Sequence, residues 1–344
     1  MKILHVITKS DLGGAQTVVI TLSNAMCSEN EITVAAGGND EMWDVLDERV
    51  NKVRLQNLKR EVSLFNDFIT CFSLYSLYRK IKPDVIHLHS SKAGMIGRLV
   101  FPKRKVVYSV HGFDSIRLAY RKYLIVEKIL KKRCKALVVA SDYDRVNMNR
   151  EGINDNIHLV YNGIAYPNII KTDELNSLIE RTSKKVVICI ARISPQKRFE
   201  DYVELAKQLP KYIFVWIGAD REYQNLPVNL HCFKGIPNAK RFIENADLFV
   251  LPSNYEGVPI AIIDALSFGK PVVASNVGGI SEIVLNDYNG YVVENDINSF
   301  VTAIQTILED EQLYQKFSAN SHSIFRNKLT IEQMVLGYKR IYSL

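Results

Sequence analysis

The chain has 344 residues, of which 47% are hydrophobic and 24% charged. This length exceeds what one core usually organises, and the composition excludes a fibrous or disordered chain, so two globular domains are expected. No apolar run approaches the roughly 18 residues of a membrane span. The apolar opening stretch is broken by His5, so we predict a buried strand rather than a signal peptide, and a cytoplasmic protein. Five scattered cysteines are typical neither of a zinc site nor of a disulfide framework.

The net charge of +7 is concentrated in one segment. Residues 98–135 carry 12 basic and 2 acidic side chains. Anionic lipid attracts such a segment by roughly 1 kcal/mol per basic residue near the surface, which predicts peripheral association with the inner face of the cell membrane. A solvated basic face without a partner is the alternative. Nucleic acid is not expected, because no helix-turn-helix, zinc-finger or RNA-binding aromatic pattern accompanies the charge.

Short apolar runs alternate with helical patterns along the chain, which is typical of parallel sheets joined by right-handed crossovers. Runs that are apolar throughout, such as 186–190, indicate strands buried on both faces. A first series of strands is predicted at 2–7, 31–37, 52–58, 84–89, 105–111, 136–141 and 157–160. A second series is predicted at 186–190, 213–217, 230–233, 248–251, 271–274 and 291–293.

The segment between the two series contains Asn162-Gly163, Pro167 and an acidic helix-like stretch before Lys185, and it marks the expected domain boundary. We predict an α/β protein of two doubly wound, Rossmann-like parallel-sheet domains at 1–165 and 166–325. A C-terminal helix in 326–344 follows, for which packing back on the first domain is one option. Two such domains face each other across a cleft with the carboxyl ends of their strands, where ligands of such sheets bind.

The segment 253–271 is the most informative motif. An apolar strand ends before a loop with Glu256 and Gly257, and Pro259 suits the first turn of the next helix. The unpaired amides of that turn favour an anion such as a diphosphate, and Gly257 permits close approach of the backbone. Glu256 is then placed to accept hydrogen bonds from sugar hydroxyls, and Asp264 lies about two turns along the same helical face. The alternative is that Glu256 caps the helix and Asp264 is a solvated carboxylate.

Two cations follow the strand at 186–190. Arg192 stands at the strand end, and Ser194-Pro195 is typical of a helix N-cap and first helical position, which places Lys197 in the first turn. A cation there opposes the helix dipole, so it calls for an anion. Arg192 and Lys197 are predicted to converge on a diphosphate leaving group, with a plain surface charge as the alternative.

Two weaker signals lie in the first domain. Paired glycines, Gly13 and Gly14, follow the first strand and open a helix, which permits close approach to a ligand but is not the dinucleotide G-x-G-x-x-G pattern. His111 follows a buried strand at the expected cleft edge, where it would hydrogen-bond the donor or a transferring group. Tight-turn geometry and a structural histidine are the respective alternatives.

Two further patterns imitate metal sites. The Asp-x-Asp sequence at Asp142 and Asp144 follows Ser141, which we predict to cap a helix whose dipole the two acids complement. His87 and His89 share one strand face, but no carboxylate or cysteine ligand is evident nearby, so a metal pair is not favoured. His89 is a candidate for lining the acceptor side.

These pieces, in this order, resemble glycosyltransferase family 4, the retaining enzymes of GT-B fold with a Glu-x7-Glu signature. The resemblance covers nearly the whole chain and is carried by residues 12–15, 87–94, 111–112, 160–164, 191–197, 217–220, 253–264 and 269–279. One departure stands out. The second Glu of the signature is Asp264 here, one methylene shorter, so its contact with the ribose is expected to be weaker or water-mediated.

The resemblance implies roles for the site residues. Arg192 and Lys197 would bind the donor diphosphate, and Glu256 would contact hydroxyls of the transferred sugar. The backbone of Gly257, Val258 and Pro259 would complete the site, and Asp264 would meet the ribose. His111 matches the histidine near the donor sugar, and Gly14 matches the glycine loop near the phosphates. No metal and no cofactor are expected.

The expected activity is a retaining, front-face transfer of a hexose or N-acetylhexosamine from a nucleotide sugar, with UDP favoured. Family and charge together predict a polyprenyl-diphosphate-linked saccharide acceptor in capsule, exopolysaccharide or O-antigen assembly. A transferase with a soluble acceptor and a non-catalytic subunit that binds sugar nucleotides are the alternatives. A nicotinamide dehydrogenase is disfavoured by the missing glycine fingerprint.

Overall fold

The computed structural model describes residues 1–167, 175, 177, 183–236 and 238–344. The chain divides into two compact units: Met1–Gly163 with Ile331–Leu344 form unit 1, and Ile164–Thr330 form unit 2. The boundaries expected after residues 165 and 325 lie a few residues from these divisions. The acidic helix-like stretch before Lys185 falls mostly on residues outside the described part of the chain.

Unit 1 is built on a parallel sheet of seven strands in the order β3-β2-β1-β4-β5-β6-β7. Its strands are β1 Lys2–Lys9, β2 Glu31–Gly37, β3 Asn51–Arg54, β4 Val85–His89, β5 Val106–Val110, β6 Ala136–Val139 and β7 Ile157–Leu159. Its first six helices are α1 Gly14–Met26, α2 Met42–Val45, α3 Leu64–Ile81, α4 Ser91–Val100, α5 Leu124–Leu130 and α6 Asp142–Arg150. Strands β4 and β5 are buried along their whole length, as is expected of strands that helices cover on both faces.

Unit 2 is built on a parallel sheet of six strands in the order β10-β9-β8-β11-β12-β13. Its strands are β8 Val186–Ile190, β9 Ile213–Ala219, β10 Leu230–Lys234, β11 Leu248–Leu251, β12 Val272–Ser275 and β13 Gly290–Val293. Its helices in the described residues are α7 Phe199–Gln208, α8 Ile260–Ser267, α9 Ile297–Glu309 and α10 Glu311–Lys328. The last helix of the chain, α11 Ile331–Tyr342, belongs to unit 1.

Short turns of other helix types complete the described elements. Five of them are 3-10 turns, and Ser115–Ala119 is a π-helical turn. The 3-10 turns span Lys103–Lys105, Arg121–Tyr123, Pro195–Lys197, Ala239–Ile243 and Ile280–Glu282. None of the helices in the described residues is long and apolar enough to cross a membrane.

All the predicted strands are present, one of them much shorter than expected and the others with ends within two residues of the prediction. The strand expected over 52–58 ends at Arg54, because the chain then turns, with the Leu58 N–H donating to the Leu55 carbonyl at 3.0 Å. This turn buries Leu55 and Leu58 in the core of unit 1. Burial of these two leucines stabilises the turn.

Each sheet reverses its strand order once, and the reversals decide where ligands bind. The order turns between β1 and β4 in unit 1 and between β8 and β11 in unit 2. At such a switch point the two neighbouring loops leave the carboxyl ends of the strands in opposite directions and open a crevice. The motifs containing Gly14, Arg192 and Glu256 all follow strands that flank these reversals.

Candidate active site

The loop after β8 differs locally from the predicted helix start. Pro195–Lys197 form a 3-10 turn rather than the first turn of an α-helix, and the Ser194 side chain makes no capping hydrogen bond. The α-helix begins only at Phe199, after Arg198 has adopted the left-handed conformation with φ of 45°. The predicted cap at Ser194 is therefore wrong, and Lys197 ends a tight turn instead of opening a long helix.

The loop after β11 is fixed by the neighbouring strand ends. The Ser253 N–H donates to Ser275 Oγ at 2.7 Å, and Asn295 Nδ2 donates to the Ser253 carbonyl at 2.9 Å. Ser253 is fully buried. The ends of β12 and β13 thus hold the start of this loop through two polar side chains, which gives the residues that follow a defined position.

Backbone contacts join the two loops to each other. The Asn254 N–H donates to the Gln196 carbonyl at 2.8 Å, and Gln196 Nε2 donates to the Tyr255 carbonyl at 2.8 Å. These bonds span the switch point between β8 and β11. They place Lys197 and Glu256, one residue further along each loop, opposite one another.

Lys197 and Glu256 form the central ion pair of the site. Lys197 Nζ lies 2.5 Å from Glu256 Oε1, and Ser253 Oγ donates to the same oxygen at 2.7 Å. The Glu256 side chain is 8% exposed and that of Lys197 19%, so the pair is shielded but reachable. An ammonium group has three donors and a carboxylate two oxygens, so both partners keep capacity for a ligand.

This pair settles two alternatives left open by the sequence. Glu256 does not cap α8, whose N-cap position is Pro259 and lacks a side-chain bond. The anion that Lys197 calls for is supplied by the protein itself. A surface-charge interpretation of Lys197 is therefore wrong for this structure, because the side chain is largely buried against a carboxylate.

Arg198 is a residue of the site that the sequence motifs did not single out. Its guanidinium donates to Asp201 Oδ2 at 2.7 Å from Nε and to Asn254 Oδ1 at 2.9 Å from Nη1, so it ties α7 to the Glu256 loop. A left-handed conformation costs a non-glycine residue on the order of 1–2 kcal/mol. The hydrogen bonds of Arg198 offset that cost and keep the turn before it tight.

Gly278 is a second residue that sequence reasoning left without a role, although it lies in a quoted motif. Its φ is +61°, and a Cβ placed on it would lie 2.0 Å from the Glu256 carbonyl oxygen. The neighbouring Gly279 N–H donates to the Gly257 carbonyl at 2.9 Å. The loop after β12 therefore packs backbone against backbone beneath Glu256, a contact that only glycine permits.

Helix α8 begins beside this pair. Val258 and Pro259 are buried, and Ile260 is the first helical residue, one position later than the predicted first turn with Pro259 in it. The amides that open the helix carry the positive end of its dipole next to Glu256 and Lys197. The predicted donor-binding backbone of Gly257, Val258 and Pro259 thus stands between the ion pair and a helix start.

Asp264 lies in the middle of α8 and is partly buried. Burial raises the pKa of its carboxyl group to about 7, and the charge of Lys240 opposes part of that rise. The alternative of a solvated carboxylate is wrong for this side chain. A carboxyl group that titrates near neutrality either donates or accepts a hydrogen bond, depending on pH.

Arg192 is exposed, two residues beyond the end of β8. It shares its loop with Lys197, so the two predicted diphosphate ligands follow one strand. Gly218, at the end of β9, has a φ of +124°, and a Cβ there would lie 2.4 Å from the Ala191 carbonyl oxygen. This close backbone contact fixes the exit of the chain from β8, immediately before Arg192.

The predicted residues of unit 1 follow β1, which flanks its switch point, and β5, which is one strand further along the sheet. Gly14 is the first residue of α1, directly after the N-cap Gly13. His111 follows β5 and its Nε2 lies 3.1 Å from His89 Nδ1. His89 is fully buried, so the expectation that it lines the acceptor side is wrong: the neighbouring imidazoles and the strands enclose it.

The Asp-x-Asp segment is a helix start, as predicted. Ser141 Oγ accepts from the Asp144 N–H at 3.0 Å and caps α6. Asp144 Oδ1 accepts from the Phe113 N–H at 3.0 Å, and Asp142 pairs with Arg145 at 2.5 Å. Both carboxylates therefore serve the helix and the loop that carries His111.

Comparisons with known proteins cover both units. Residues 12–165 match the family described as Glycosyltransferase Family 4, and residues 171–323 match the family described as Glycosyl transferases group 1. A relative from Escherichia coli, the UDP-Gal:alpha-D-GlcNAc-diphosphoundecaprenol alpha-1,3-galactosyltransferase, is 30% identical over 99% of this chain and 96% of its own. The O-antigen biosynthesis glycosyltransferase WbnH of Escherichia coli is 26% identical over 98% of this chain and 97% of its own.

Among solved structures, HepE of Anabaena in complex with UDP-glucose superposes with a TM-score of 0.86, at 20% identity and with 100% of both chains covered. At that identity the likeness shows the fold alone, which is the GT-B fold that the resemblance implied. The matches over both halves and the relative at 30% identity show the family. The chain is a glycosyltransferase of family 4 with the GT-B fold.

Proposed function

We propose that this protein transfers a hexose or an N-acetylhexosamine, with retention, from a UDP-sugar to a polyprenyl-diphosphate-linked saccharide in surface polysaccharide synthesis. The observation that carries the proposal is the Lys197–Glu256 pair at the switch point of unit 2. A cation for a diphosphate and an anion for sugar hydroxyls stand there side by side, ahead of a helix N-terminus.

We assign most of the donor contacts to residues of unit 2. Arg192 and Lys197 bind the diphosphate, and Glu256 accepts hydrogen bonds from hydroxyls of the transferred sugar. The opening amides of α8 receive phosphate oxygens, and Asp264 meets the ribose. Lys197 keeps two further N–H donors while it contacts Glu256, so donor binding does not require the ion pair to break.

The chemistry follows from charge placement. As the glycosidic bond breaks, negative charge grows on the diphosphate, and the fixed cations Arg192 and Lys197 stabilise it. The acceptor hydroxyl attacks from the face that the diphosphate leaves, and its proton passes to a phosphate oxygen. Lys197 and Ser253 both contact Glu256 Oε1. Glu256 is therefore better suited to accept a hydrogen bond from a sugar hydroxyl than to act as a nucleophile that forms a covalent intermediate. We propose that no metal takes part.

The acceptor class rests on the relatives. The Escherichia coli relative is named for a diphosphoundecaprenol-linked acceptor, and so is a Campylobacter jejuni relative that is 23% identical over 93% of this chain. Such an acceptor is presented at a membrane. We therefore infer that this protein works at an anionic membrane surface from the cytoplasmic side and uses a face of unit 1 to bind it.

The basic segment 98–135 supports that inference, although less of its charge is available than its composition suggested. Arg98 is fully buried and paired with Glu127 at 2.7 Å. Arg117, Arg121 and Lys128 also form ion pairs, with Asp114 or Glu151. The exposed cations are Lys103, Arg104, Arg121, Lys122, Lys132 and Arg133.

Helix α3 adds an apolar contribution to the same layer. Leu64, Phe65, Phe68 and Phe72 are between 71% and 88% exposed, and Tyr75 is 47% exposed. Their spacing puts them on one face of the helix, which ends in exposed basic side chains. Helices α3, α4 and α5 contact each other in order, so this apolar face and the basic segment belong to one layer on the sheet of unit 1. Aromatic residues beside cations are typical of a helix that lies in a lipid interface.

A transfer assay tests the proposed function. Labelled UDP-galactose, UDP-glucose, UDP-GlcNAc and UDP-GalNAc are offered with α-GlcNAc-diphosphoundecaprenol and with the free monosaccharide GlcNAc, in the presence of EDTA. We expect transfer from one UDP-sugar to the lipid-linked acceptor, with an α-anomeric product. Transfer only to the free sugar would favour a soluble acceptor, and an absence of transfer from all donors would favour a non-catalytic subunit.

Sedimentation with vesicles tests the membrane face separately. The variant F65S/F68S/F72S is expected to lose binding to phosphatidylglycerol vesicles at high salt, where the apolar contribution dominates. The matched control V228S changes a fully exposed apolar residue of unit 2 and is expected to bind like the wild type. Equal binding by the triple variant and the control would contradict a role for α3.

A further inference from the structure

Four histidines lie on one face of the unit 1 sheet, and the sequence motifs had linked only three of them to any role. His5 on β1 stands directly opposite His87 on β4, and His89 lies two residues further along β4 on the same face. Ser109 on β5 stands opposite His89, and His111 follows two residues later, so its side chain lies on the same face of the sheet. Helix α11 covers this face through Tyr338 and Tyr342.

Three of these imidazoles form a hydrogen-bonded chain. His111 Nε2 lies 3.1 Å from His89 Nδ1, and His89 Nε2 lies 3.1 Å from His5 Nδ1. His87 belongs to a separate network, with Nδ1 2.7 Å from the Tyr342 hydroxyl and Nε2 2.7 Å from Ser109 Oγ. The chain therefore runs from the loop after β5 into the interior of the sheet.

All members of the chain are neutral near pH 7. Burial lowers the pKa of His5 to about 3 and that of His111 to about 4. Burial, and then repulsion from the neighbouring imidazoles, lowers the pKa of His89 far below its usual value. A neutral imidazole has one N–H and one acceptor nitrogen, so all three N–H groups must point in the same direction along the chain. Either every ring carries its proton on Nδ1 and donates outward, or every ring carries it on Nε2 and donates inward.

The inner end of the chain decides that direction. His5 Nε2 is buried and has no hydrogen-bond partner among the described residues. If the protons ran inward, His5 Nε2 would carry a buried N–H without an acceptor. If they run outward, His5 Nε2 is an unpaired acceptor, which is the less costly of the two defects.

We propose that His5 and His89 are positioning residues that hold His111 as its Nδ1–H tautomer, so that His111 offers a ligand oxygen a hydrogen-bond donor and not a base. The proposal rests on the proposed function for the identity of the ligand, a sugar nucleotide. The Nδ1 atom of His111 makes no hydrogen bond within the described residues, and the residue is partly exposed. If His111 acted as a base, all three N–H groups would have to point inward, and the buried His5 Nε2–H would have no acceptor.

The same cluster contains three histidines whose ring nitrogens lie within 4.8 Å of one another, namely His5, His87 and His89. A metal ion is the competing interpretation of that group. Both ring nitrogens of His87 and both of His89 already have hydrogen-bond partners at 2.7–3.1 Å, so the structure favours the hydrogen-bonded chain.

Long-range ¹H–¹⁵N NMR of the imidazole rings in the full chain tests the tautomers directly, because it separates Nδ1–H from Nε2–H. Single histidine variants assign the signals. We expect Nδ1–H for His111, His89 and His5 between pH 6 and 8. An Nε2–H pattern at His111 would overturn the proposal, and so would saturable binding of added Zn²⁺ that depends on His5. These readouts do not require turnover, so they stand or fall apart from the proposed function.

Kinetics of three variants separate positioning from simple stability. His89→Asn keeps an amide donor near the position of Nδ1, whereas His89→Leu does not, and His87→Gln disturbs the same sheet face outside the chain. We expect kcat to fall at least tenfold more in His89→Leu than in His89→Asn, with little change in the KM for the nucleotide sugar. If kcat instead falls in proportion to the drop in Tm in all three variants, including His87→Gln, the role of His89 is structural only and the proposal is overturned.

Discussion

The Lys197–Glu256 pair gives the sharpest prediction, because loss of the Lys197 charge is expected to weaken nucleotide binding and loss of the Glu256 charge is not. In the variant Lys197→Met, Glu256 keeps only the Ser253 hydroxyl as a partner within the described residues. Loss of a charged hydrogen bond costs about 1.5–3 kcal/mol, and the 8% exposure of Glu256 allows water to relieve little of it. For a unit of this size we expect the Tm to fall by roughly 5 °C.

The effect on a nucleotide diphosphate is a separate quantity. A charge pair at about 4 Å contributes roughly 4 kcal/mol at an effective dielectric constant of about 20, and the partial exposure of Lys197 reduces that value by about half. We therefore expect Lys197→Met to weaken UDP binding about 30-fold. Glu256→Gln removes a negative charge beside the diphosphate, so UDP should bind as tightly as to the wild type or a few-fold tighter, while transfer of the sugar slows.

Isothermal titration with UDP and thermal unfolding of both single variants and the double variant measure these effects. The double variant K197M/E256Q should recover part of the lost stability, because no unpaired charge remains buried. Wild-type UDP affinity in Lys197→Met would refute the assignment of Lys197 to the diphosphate. A loss of UDP affinity in Glu256→Gln as large as in Lys197→Met would refute the separation of roles.

Three further predictions concern positions around the site and in unit 1. Gly278→Ala should destabilise the protein by at least about 2 kcal/mol more than Gly152→Ala in denaturant unfolding, because both have positive φ but only Gly278 meets backbone, at the Glu256 carbonyl. The raised pKa of Asp264 means that the folded state binds the proton more tightly, so unfolding free energy should fall as pH rises from about 4 to 7, and Asp264→Asn should lose that slope. Arg98→Met should cost about 3–5 kcal/mol, since it leaves the Glu127 carboxylate buried without its counter-ion, and R98M/E127Q should recover part of it.

The strand pattern was readable because parallel sheets bury both faces and leave continuous apolar runs. Periodicity also located the ends of strands, and the topology of a doubly wound sheet then brought the loops with Arg192 and Glu256 to one switch point. The nearness of the loops after β8 and β11 follows from the same topology. The ion pair between Lys197 and Glu256 could not be predicted, because it depends on the tight turn at Pro195–Lys197, whose backbone is stabilised by Arg198 and Asn254.

Residues whose role depends on contacts between separate strands were harder to predict. Gly278 supports Glu256 through a backbone contact that links separate strand ends, and a single sequence gives no register for such a contact. His5 was predicted only as a strand residue, although its parity with His87 and His89 on neighbouring strands would have placed the three imidazoles on one face once the strand order was known. The charge that the basic segment offers to a membrane was overestimated, because Arg98 is an interior residue and several other cations are paired.

The central claim is that the loops after β8 and β11 form the donor site of a glycosyltransferase, and kcat/KM of Arg192→Ala tests it most directly. The matched control is Arg221→Ala, an exposed arginine in the loop after β9 of the same unit. Loss of one preorganised donor to the transition state costs about 10²–10³-fold in rate, so we expect at least a 100-fold lower kcat/KM for Arg192→Ala and a near-wild-type value for the control. An undiminished kcat/KM for Arg192→Ala would contradict the account.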